Sequence, residues 1–418
     1  EWGHWQGQDW TRLNSDVGSD KASGLRRATN RNGRPAQARR TLPRGTSAYP
    51  PRFSTGVGTV DNVTDSPAPA APSPLRIAVL SPIAWRTPPR HYGPWELFAS
   101  TLAEGLVALG HEVTLFATAD SVTTAQLRST VATGWSEDED IDPKVAECMH
   151  IADVFEHADE FDIIHNGFDF LPLTYSGLVD TPVVTTIHGF SSERIVPVYE
   201  RHDATTTYVA ISSSDRHPRL HYAATIHHGI DVDAFAVHSA PGDHLLFFGR
   251  IHPDKGTAEA IQVARSAGRP LVIAGIIQDE QYFADEIAPH IDGESVRFLG
   301  PVDSANRARV LGSAHALLHL IEFDEPFGYS VVEAMASGTP VIAFNRGSMT
   351  ELIDHATTGF VVANAEEAIQ AIDLVGGLDR AAIRASVLDR FSAETMVNKY
   401  VALYRSVLSG RARKAIKG

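Results

Sequence analysis

From residue 75 onward, the sequence alternates short apolar runs with longer amphipathic stretches, and it does so in two successive series. The first apolar run, 75–80, reads LRIAVL, which is the pattern of a buried β-strand. Strands that alternate with helices predict parallel sheets with helices on both faces, because each helix returns the chain to the same end of its sheet. The sequence therefore predicts two doubly wound α/β domains.

The hydrophobic pattern places the individual elements. The predicted strands are 75–80, 112–117, 162–165, 182–187, 206–211, 224–227, 244–248, 271–275, 296–299, 315–320, 340–343 and 360–362. The predicted helices are 94–109, 143–158, 191–200, 255–267, 279–290, 303–313, 329–337 and 365–376. A final run, 374–411, has apolar residues at helical spacing and predicts a packing face.

These series divide the chain into regions. We predict a first domain over 75–235, a second over 240–395, and a C-terminal helix and tail over 396–418 that packs back on the first domain. Residues 1–74 are rich in Gly, Ser, Arg and Pro and lack a sustained hydrophobic period. They predict a disordered N-terminal extension, with a short basic partner-binding tail as the alternative.

Composition excludes several classes of function. The formal net charge of −15 argues against non-specific binding to nucleic acid or to an anionic membrane. The single cysteine, Cys148, excludes an intramolecular disulfide and a multi-cysteine metal site. No apolar run approaches the ~20 residues of a membrane span, and no signal-peptide pattern opens the chain. A cytoplasmic enzyme is the expectation.

The stretch EPFGYSVVE, from Glu325 to Glu333, is the strongest functional signal. Its Pro-Phe-Gly turn leads into a predicted helix, and the first amides of a helix suit a phosphate group. The two carboxylates could each accept hydrogen bonds from paired hydroxyls, one on a sugar and one on a ribose. The stretch predicts a nucleotide-sugar site, although acids near a helix start also occur simply as favourable charges.

A second candidate segment, GRIHPDKG, follows the predicted strand 244–248 and contains Gly249, Arg250 and Lys255. The planar arginine and the compact lysine together suit the two phosphates of a diphosphate and the charge on a departing nucleotide. The alternative is a solvated loop. No G-x-G-x-x-G follows the first strand and no P-loop motif occurs, which disfavours a dinucleotide dehydrogenase or a P-loop NTPase.

Two segments at strand ends of the first series could face the same cleft. His188 follows the predicted strand 182–187, where it would point into the cleft or cap the core. Gly93 opens a predicted helix and permits close approach of the backbone to an anion. The loop around Gly93 is crowded with side chains that either line a ligand site or pack beneath the loop: Trp85, Arg86, Arg90, Tyr92 and Trp95.

Three other patterns are weaker. Asp231 and Asp233 resemble the D-x-D of metal-dependent sugar transferases, but their position between the two series favours a turn and cap. The acidic run 137–140 favours a solvated loop over a cation site. The pair His227 and His228 is a minor candidate for a metal role.

Taken together and in this order, these elements resemble the retaining glycosyltransferases of family four, which have the GT-B fold. The resemblance covers about 75–410 and rests on FFGRIHPDKG at 247–256, EPFGYSVVEAMASGTPVIA at 325–343 and HHGIDVDAF at 227–235. It implies two doubly wound Rossmann-like domains that face each other across a cleft. It also implies transfer of a sugar from a nucleoside-diphosphate donor with retention of the anomeric configuration.

The resemblance implies a role for each matching position. Arg250 and Lys255 would hold the donor diphosphate, Glu325 would bind hydroxyls of the sugar and Glu333 those of the ribose. His188 would lie beside the transferred sugar. Further donor contacts would come from Gly93, Gly249, Val302, Phe327, Gly328 and Tyr329. The acceptor side would include Arg90, Tyr92, Trp95 and Glu96. No metal and no cofactor is implied, since fixed cations take the place of a metal.

One position departs from the family pattern, because many members carry a second glycine where this chain has Pro94. The variant YGPWE is similar to that of bacterial enzymes that glucosylate tetrahydropterins. The expected partners are therefore a nucleotide-sugar donor, taken to be UDP-glucose, and a small acceptor, with a pterin as one candidate. A sugar-nucleotide 2-epimerase and a catalytically silent nucleotide-sugar-binding protein remain alternatives.

Overall fold

The computed structural model describes residues 73–90, 93–190, 192–238 and 242–417 of the 418. The predicted extension 1–74 therefore lies outside the described residues, except for its last two positions. Among the described residues, no helix combines the length and the apolar character that a bilayer crossing requires.

The first domain is built on a seven-stranded sheet in which every described strand pair is parallel. Its strands are β1 Arg76–Leu80, β2 Glu112–Phe116, β3 Gln126–Arg128, β4 Ile163–Asn166, β5 Val183–Ile187, β6 Thr206–Ala210 and β7 Tyr222–Thr225. Their spatial order is β3-β2-β1-β4-β5-β6-β7, so the direction of winding reverses between β1 and β4. Ligands of such sheets bind beyond the carboxyl ends of the strands near that reversal.

The helices of the first domain are α1 Pro94–Ala108, α2 Pro143–Glu156 and α3 Val196–His202. The prediction of a helix from 191 is wrong at its start, because α3 begins at Val196 with Pro197 in its first turn. Proline fits the first turn of a helix but clashes with a preceding helical turn, so it favours a late start. The three-residue edge strand β3 was not predicted, since so short a segment has no readable period.

The second domain repeats this architecture with six parallel strands in the order β10-β9-β8-β11-β12-β13. The strands are β8 Leu245–Phe248, β9 Leu271–Ala274, β10 Val296–Gly300, β11 Ala316–His319, β12 Val341–Phe344 and β13 Gly359–Val362. Winding reverses between β8 and β11. The carboxyl ends of these two strands are therefore the expected place for a ligand.

The remaining helices are α4 Thr257–Ser266, α5 Glu280–Tyr282, α6 Ser304–Ser313, α7 Tyr329–Ala336, α8 Met349–Leu352, α9 Ala365–Leu374, α10 Arg380–Phe391 and α11 Ala393–Lys417. The single helix predicted for 279–290 is wrong. It breaks after α5 into a wide turn and then a tight turn that contains Pro289. Proline removes an amide donor and clashes with the carbonyl four residues earlier, so a regular helix cannot continue through it.

Both sheets are apolar on both faces, as parallel sheets covered by helices require. The prediction of two doubly wound α/β domains is confirmed. The C-terminal helix α11 packs against α1 of the first domain. The Tyr404 hydroxyl lies 2.8 Å from Nδ1 of the buried His165, and the Tyr400 hydroxyl lies 2.8 Å from the hydroxyl of Thr186.

Candidate active site

The loop after β8 brings Lys255 against Glu325, which lies beyond β11. Lys255 Nζ donates to Glu325 Oε2 at 2.7 Å, and it also lies 4.3 Å from the centroid of the Phe323 ring. Gly256 makes this approach possible. Its φ is +69°, and a Cβ there would lie 1.9 Å from the carbonyl oxygen of Leu320. Only glycine therefore lets the loop reach the end of β11.

Arg250 belongs to the same charged group. Arg250 is only 7% exposed, and its guanidinium donates a hydrogen bond to the side-chain oxygen of Gln278. The amide of the neighbouring Gly249 donates to the carbonyl of Ala274 at 3.0 Å, which ties the loop to β9. Arg250 lies close enough to Glu325 to help lower the pKa of that carboxyl. The structure thus brings Arg250, Lys255 and Glu325 together.

The charge state of this group follows from burial and its cations. Burial opposes ionisation of Glu325, but the cations Lys255 and Arg250 hold its pKa below the usual value. His319 Nε2 lies 3.8 Å from Glu325 Oε2, and burial lowers the pKa of His319 to about 4. Glu325 is therefore a carboxylate at neutral pH and His319 a neutral imidazole. The carboxylate can accept hydrogen bonds from ligand hydroxyls.

Helix α7 begins at Tyr329, shortly after Glu325 in the sequence. Gly328 precedes it with a φ of +91°, and no described side chain caps the helix start. Phe327 is buried in the core of the second domain and anchors the turn. The first amides of α7, an eight-residue helix, begin at Tyr329. A Cβ built at the preceding Gly328 would lie 3.6 Å from Glu325 Cγ, so the helix start is close to that side chain. A helix start beside two cations favours an anionic ligand.

Glu333 lies one turn into α7 and is only 3% exposed. Its Oε1 forms an ion pair with Nη1 of Arg307 of α6 at 3.1 Å, whereas its Oε2 is buried without a hydrogen-bond partner among the described residues. Burial raises the pKa of Glu333, and Arg307 offsets only part of that effect. The Arg307 guanidinium also lies 5.4 Å from the centroid of Phe248, the last residue of β8. Glu333 therefore lies beside the same strand end as Arg250.

Val302 was predicted from the resemblance as a further donor contact. Val302 follows β10, is partly buried and packs, like Phe248, against the core of the second domain. Among the described residues, the contacts of Val302 do not indicate which part of a ligand it would touch. The predicted donor side is thus assembled around the carboxyl ends of β8, β10 and β11.

The first domain meets this site through four stacked rings, here called the ring column: Trp95, His188, His228 and Tyr329. The ring centroids are 5.5 Å apart for Trp95 and His188, at an angle of 24°. They are 5.1 Å apart for His188 and His228, at 26°, and 5.1 Å apart for His228 and Tyr329, at 10°. The column runs from α1 of the first domain to the first residue of α7 in the second.

Polar atoms of the ring column lack partners among the described residues. His188 Nδ1 lies 3.3 Å from His228 Nε2, whereas His188 Nε2, His228 Nδ1 and the Tyr329 hydroxyl are buried and unpaired. Burial lowers the pKa of His188 to about 3 and that of His228 well below its usual value. Both imidazoles are therefore neutral near pH 7.

Glu96 lies in the first turn of α1, and its carboxyl lies close to the backbone of Gly93, which precedes the helix. Glu96 is buried, and burial raises its pKa to about 7 against the opposing effect of the Glu96 and Trp85 amides. A Cβ at Gly93 would lie 2.7 Å from Glu96 Oε2, so glycine leaves the space that this carboxyl occupies. Glu96 is thus a buried carboxyl that can change charge near neutral pH.

The predicted acceptor-side residues differ in the contacts that they make. Arg90 is held by two ion pairs, at 2.9 Å to Asp120 and 2.6 Å to Glu137. The acidic run 137–140 is thus partly ion-paired and not simply solvated. Tyr92 lies outside the described residues. Trp95 is the outer ring of the column.

The two domains also touch through Glu351 of α8. Its carboxylate accepts from the amides of Ser213 and Ser214 at 2.8 Å each, and His227 Nε2 lies 3.1 Å from it. His227 is thereby engaged in a contact between domains. Asp231 accepts from the amide of Asp233, which confirms the predicted turn and cap. Within the described ranges, no three His, Cys, Asp or Glu residues are placed to share a metal ion.

Sequence reasoning missed three side chains of this region: Arg307, His319 and Gln278. His319 ends the buried strand β11 much as His188 follows β5, so its position offered a readable signal. Arg307 and Gln278 lie on α6 and in a loop after β9, where nothing in the local sequence sets them apart. Their relevance comes only from the tertiary contacts with Glu333 and Arg250.

Two family models match the chain, one on each domain. Residues 96–234 match Glycosyltransferase Family 4, and residues 237–376 match Glycosyl transferases group 1. The boundary between the two matches falls in the segment that joins the two sheets.

The chain is also similar to individual glycosyltransferases. The phosphatidyl-myo-inositol mannosyltransferase of Mycobacterium tuberculosis is 28% identical over 246 residues, which cover 52% of this chain and 64% of that protein. The chain thus matches somewhat under two thirds of that relative's length. The solved glycosyltransferase AviGT4, involved in avilamycin A biosynthesis, is 25% identical with a TM-score of 0.60, and the match covers 81% of this chain and 99% of AviGT4.

A third similarity concerns the fold alone. HepE of Anabaena, solved in complex with UDP and glucose, is 18% identical with a TM-score of 0.60. The match covers 79% of this chain and all of that one.

Proposed function

This chain belongs to the glycosyltransferases of family four, with the GT-B fold. From that premise we propose that it transfers a hexose from a nucleoside-diphosphate sugar to the hydroxyl group of a small acceptor. One observation carries the proposal. Arg250, Lys255 and the start of α7 surround the Glu325 carboxylate, while Glu333 offers an unpaired oxygen nearby. Cations and helix amides suit a diphosphate, and the two carboxylates suit the sugar and the ribose.

The Lys255–Glu325 ion pair would place the two parts of the donor, the diphosphate and the sugar, next to each other. In our proposal the donor diphosphate shares Lys255 with Glu325, and the carboxylate then accepts from hydroxyls of the sugar. Both side chains are largely buried, at 13% and 14% exposure. Charge interactions in such an enclosed place are stronger than in water, so the pair is suited to orient a polar ligand.

The proposed transfer retains the anomeric configuration. The bond between the anomeric carbon and the diphosphate oxygen breaks, and a bond from that carbon to the acceptor oxygen forms on the same face. The acceptor proton passes to the departing diphosphate. Arg250, Lys255 and the α7 amides stabilise the charge that develops on that leaving group, so that no metal is required in this proposal.

The proposed identity of the hexose is based on similar proteins and not on contacts within the site. We take UDP-glucose as the donor, because HepE, which shares this fold, was solved in complex with UDP-glucose. Mannose is the competing hexose, because the mycobacterial relative is named a mannosyltransferase. The acceptor is proposed to be small, with a pterin as the candidate that the YGPWE loop favours. A panel of nucleotide sugars in a thermal-shift assay ranks the donors, because a tight ligand raises the melting temperature by mass action.

The decisive experiment removes the two cations. Arg250→Ala combined with Lys255→Ala should lower donor turnover by at least roughly 10²–10³-fold, the usual loss for one electrostatic group at a leaving anion. Arg265→Ala, on the exposed face of α4, is the matched control and should leave turnover unchanged. Undiminished turnover in the double variant would reject the assigned roles.

The same preparation distinguishes the alternative activities. Incubating the donor without acceptor and analysing the products would reveal a 2-epimerase by its altered nucleotide sugar. Calorimetric binding of donors without transfer across an acceptor panel would indicate a silent binding protein.

A further inference from the structure

The short helix α8 and the two residues before it hold the backbone of residues 325–327, here called the donor loop. The Ser348 amide donates to the Glu325 carbonyl at 2.9 Å, and the Ser348 hydroxyl donates to the Phe327 carbonyl at 2.7 Å. Gly347 permits this approach, because its φ is +53° and a Cβ there would clash with the Glu325 carbonyl oxygen. The start of α8 therefore helps to determine where the Glu325 backbone lies.

The same helix contacts the first domain through Glu351. The Glu351 carboxylate accepts from the amides of Ser213 and Ser214 at 2.8 Å each, and His227 Nε2 lies 3.1 Å from it. Both serines lie in the loop after β6, whereas His227 follows β7. One side chain of the second domain thus binds two separate segments of the first domain.

The Glu351 contact involves an ionised carboxylate. Burial raises the pKa of Glu351, but hydrogen bonds from the two serine amides and from His227 outweigh it and hold that pKa below its usual value. Burial lowers the pKa of His227, and Glu351 only partly offsets this effect, so the imidazole is neutral and can donate from Nε2. Hydrogen bonds to an ionised acceptor are stronger than those between neutral groups.

The donor loop also touches the first domain directly. A Cβ at Gly189, which follows β5, would lie 3.1 Å from Cγ of Pro326, the residue after Glu325. The rings of His227 and Phe327 are 6.3 Å apart between centroids. The Glu351 contact and the donor loop therefore join the same two surfaces, so the Glu351 contact is suited to keep the donor loop against the first domain.

The two crossings of the chain between the domains are paired without Glu351. The Ile230 amide donates to the Phe391 carbonyl, and the Ala393 amide donates to the Ile230 carbonyl, both at 2.9 Å. Ser213 and Ser214 are exposed, so water can replace Glu351 at their amides. We therefore expect Glu351 variants to fold, and the substitutions to change mainly how the two domains are arranged.

We propose that Glu351 is a positioning residue that holds the first domain against the donor loop. Through α8 and Ser348, it keeps Glu325 in place relative to the first-domain side of the cleft. A displaced first domain would leave the donor bound but out of reach of the acceptor. This consequence for transfer rests on the proposed function, whereas the contact between the domains is a property of the protein without substrate.

The first measurement requires no turnover. Cys148, the single cysteine of the chain, is exposed on α2, and Glu366→Cys adds a second site on the exposed first turn of α9 in the second domain. Spin labels at both sites of the full chain report the interdomain distance by electron–electron double resonance. We expect one narrow distribution with native Glu351. Glu351→Ala should shift the equilibrium toward a displaced arrangement by about 100-fold, as expected for losing roughly two hydrogen bonds to a charged group.

Kinetics and binding provide the second measurement. Glu351→Ala should lower kcat about tenfold, because the displaced arrangement becomes the more populated one, while the Kd of the free nucleoside diphosphate stays within about threefold of wild type. Glu351→Gln keeps one acceptor oxygen and should lie between Glu351→Ala and the wild type. Glu366→Ala, which changes an exposed carboxylate on α9, is the matched control and should leave both quantities unchanged.

His227 tests the same contact from the first domain. His227→Phe keeps a ring beside Phe391, whose centroid lies 5.5 Å from that of His227, but removes the hydrogen-bond donor. It should lower kcat about threefold, which is the effect of losing one weaker hydrogen bond. In the Glu351→Ala background it should have no further effect, because the two residues act through one contact.

Three results would overturn the proposal. The first is an unchanged distance distribution in Glu351→Ala, and the second is an unchanged kcat in that variant. The third is a loss of nucleoside-diphosphate affinity equal to the loss of kcat, which would assign Glu351 a role in the folding of the second domain. A displaced distribution in Glu351→Ala without any transfer by the wild type would reject the proposed function and support the role of Glu351 in joining the domains.

Discussion

The two walls of the cleft are built from different chemistry. The donor wall, formed by Arg250, Lys255, Glu325 and the start of α7, is charged, and its carboxylate is held ionised by neighbouring cations. The first-domain wall, formed by Trp95, Glu96 and His188, consists of aromatic rings, a neutral imidazole and a buried carboxyl with a raised pKa. The donor wall is therefore suited to bind an anion, whereas the first-domain wall is suited to contact neutral groups.

This difference has a physical basis in how each wall is held. Charged side chains retain their function in a buried place only when they are paired, as Lys255 and Glu325 are at 2.7 Å. The rings of the first-domain wall need no charge partner and are held by packing, above all by Phe98. We therefore expect substitutions in the first-domain wall to act mainly on stability and orientation, and those in the donor wall mainly on ligand binding.

The largest expected effect concerns Phe98, which touches His165, His188, His228 and Tyr400 and is 1% exposed. Phe98→Ala should lower the free energy of unfolding by roughly 3–5 kcal/mol, because it leaves a cavity beneath the ring column and α11. Denaturant unfolding monitored by circular dichroism measures this loss. A change below about 1 kcal/mol would show that packing does not hold this wall.

A second prediction uses the buried carboxyl of the same wall. Burial raises the pKa of Glu96 from 4.5 to about 7, so the folded protein binds a proton that the unfolded chain releases between these values. The contribution of Glu96 to stability is therefore fully present below pH 4.5 and is lost as the pH rises through 7. Glu96→Gln should remove this loss.

The check compares two stability curves. The free energy of unfolding of Glu96→Gln minus that of the wild type should increase by about 3 kcal/mol between roughly pH 4 and pH 8. Subtracting the wild type removes the contributions of the other buried groups that both proteins share. Parallel curves would mean that Glu96 is not buried in solution, and the contrast between the walls would weaken.

The smallest expected effect tests the donor wall at Glu333. Arg307→Ala removes the partner that orients this carboxylate, so affinity for a nucleoside diphosphate should fall about 3–10-fold, the range expected for losing roughly one hydrogen bond. Affinity for inorganic diphosphate, which has no ribose, should be unchanged. Titration calorimetry measures both.

The control for this prediction lies on the same helix. Arg309 is exposed, and its guanidinium donates to the side chain of Asn306 in the same helix, so Arg309→Ala should bind both ligands as the wild type does. Equal losses for the two ligands in Arg307→Ala would place Arg307 at the phosphates and would assign Glu333 a different role.

Much of the fold could be predicted from the sequence, because the signal is local. Apolar runs such as β1 and β8 are buried on both faces and are readable residue by residue. The prediction failed where the signal was short or interrupted, as at the edge strand β3 and at Pro289. Strand order was not readable, since it depends on which strands pair across many residues.

The motifs alone determined which residue types stand at the strand ends, and so identified Arg250, Lys255, Glu325 and Glu333 as candidates for one site. Only the tertiary structure decided how they are paired, because Gln278, Arg307 and His319 reach them from distant positions in the chain. The ring column is the clearest case: His188, His228 and Tyr329 come from three separated segments. Their stacking depends on the packing of two domains, which no local pattern encodes.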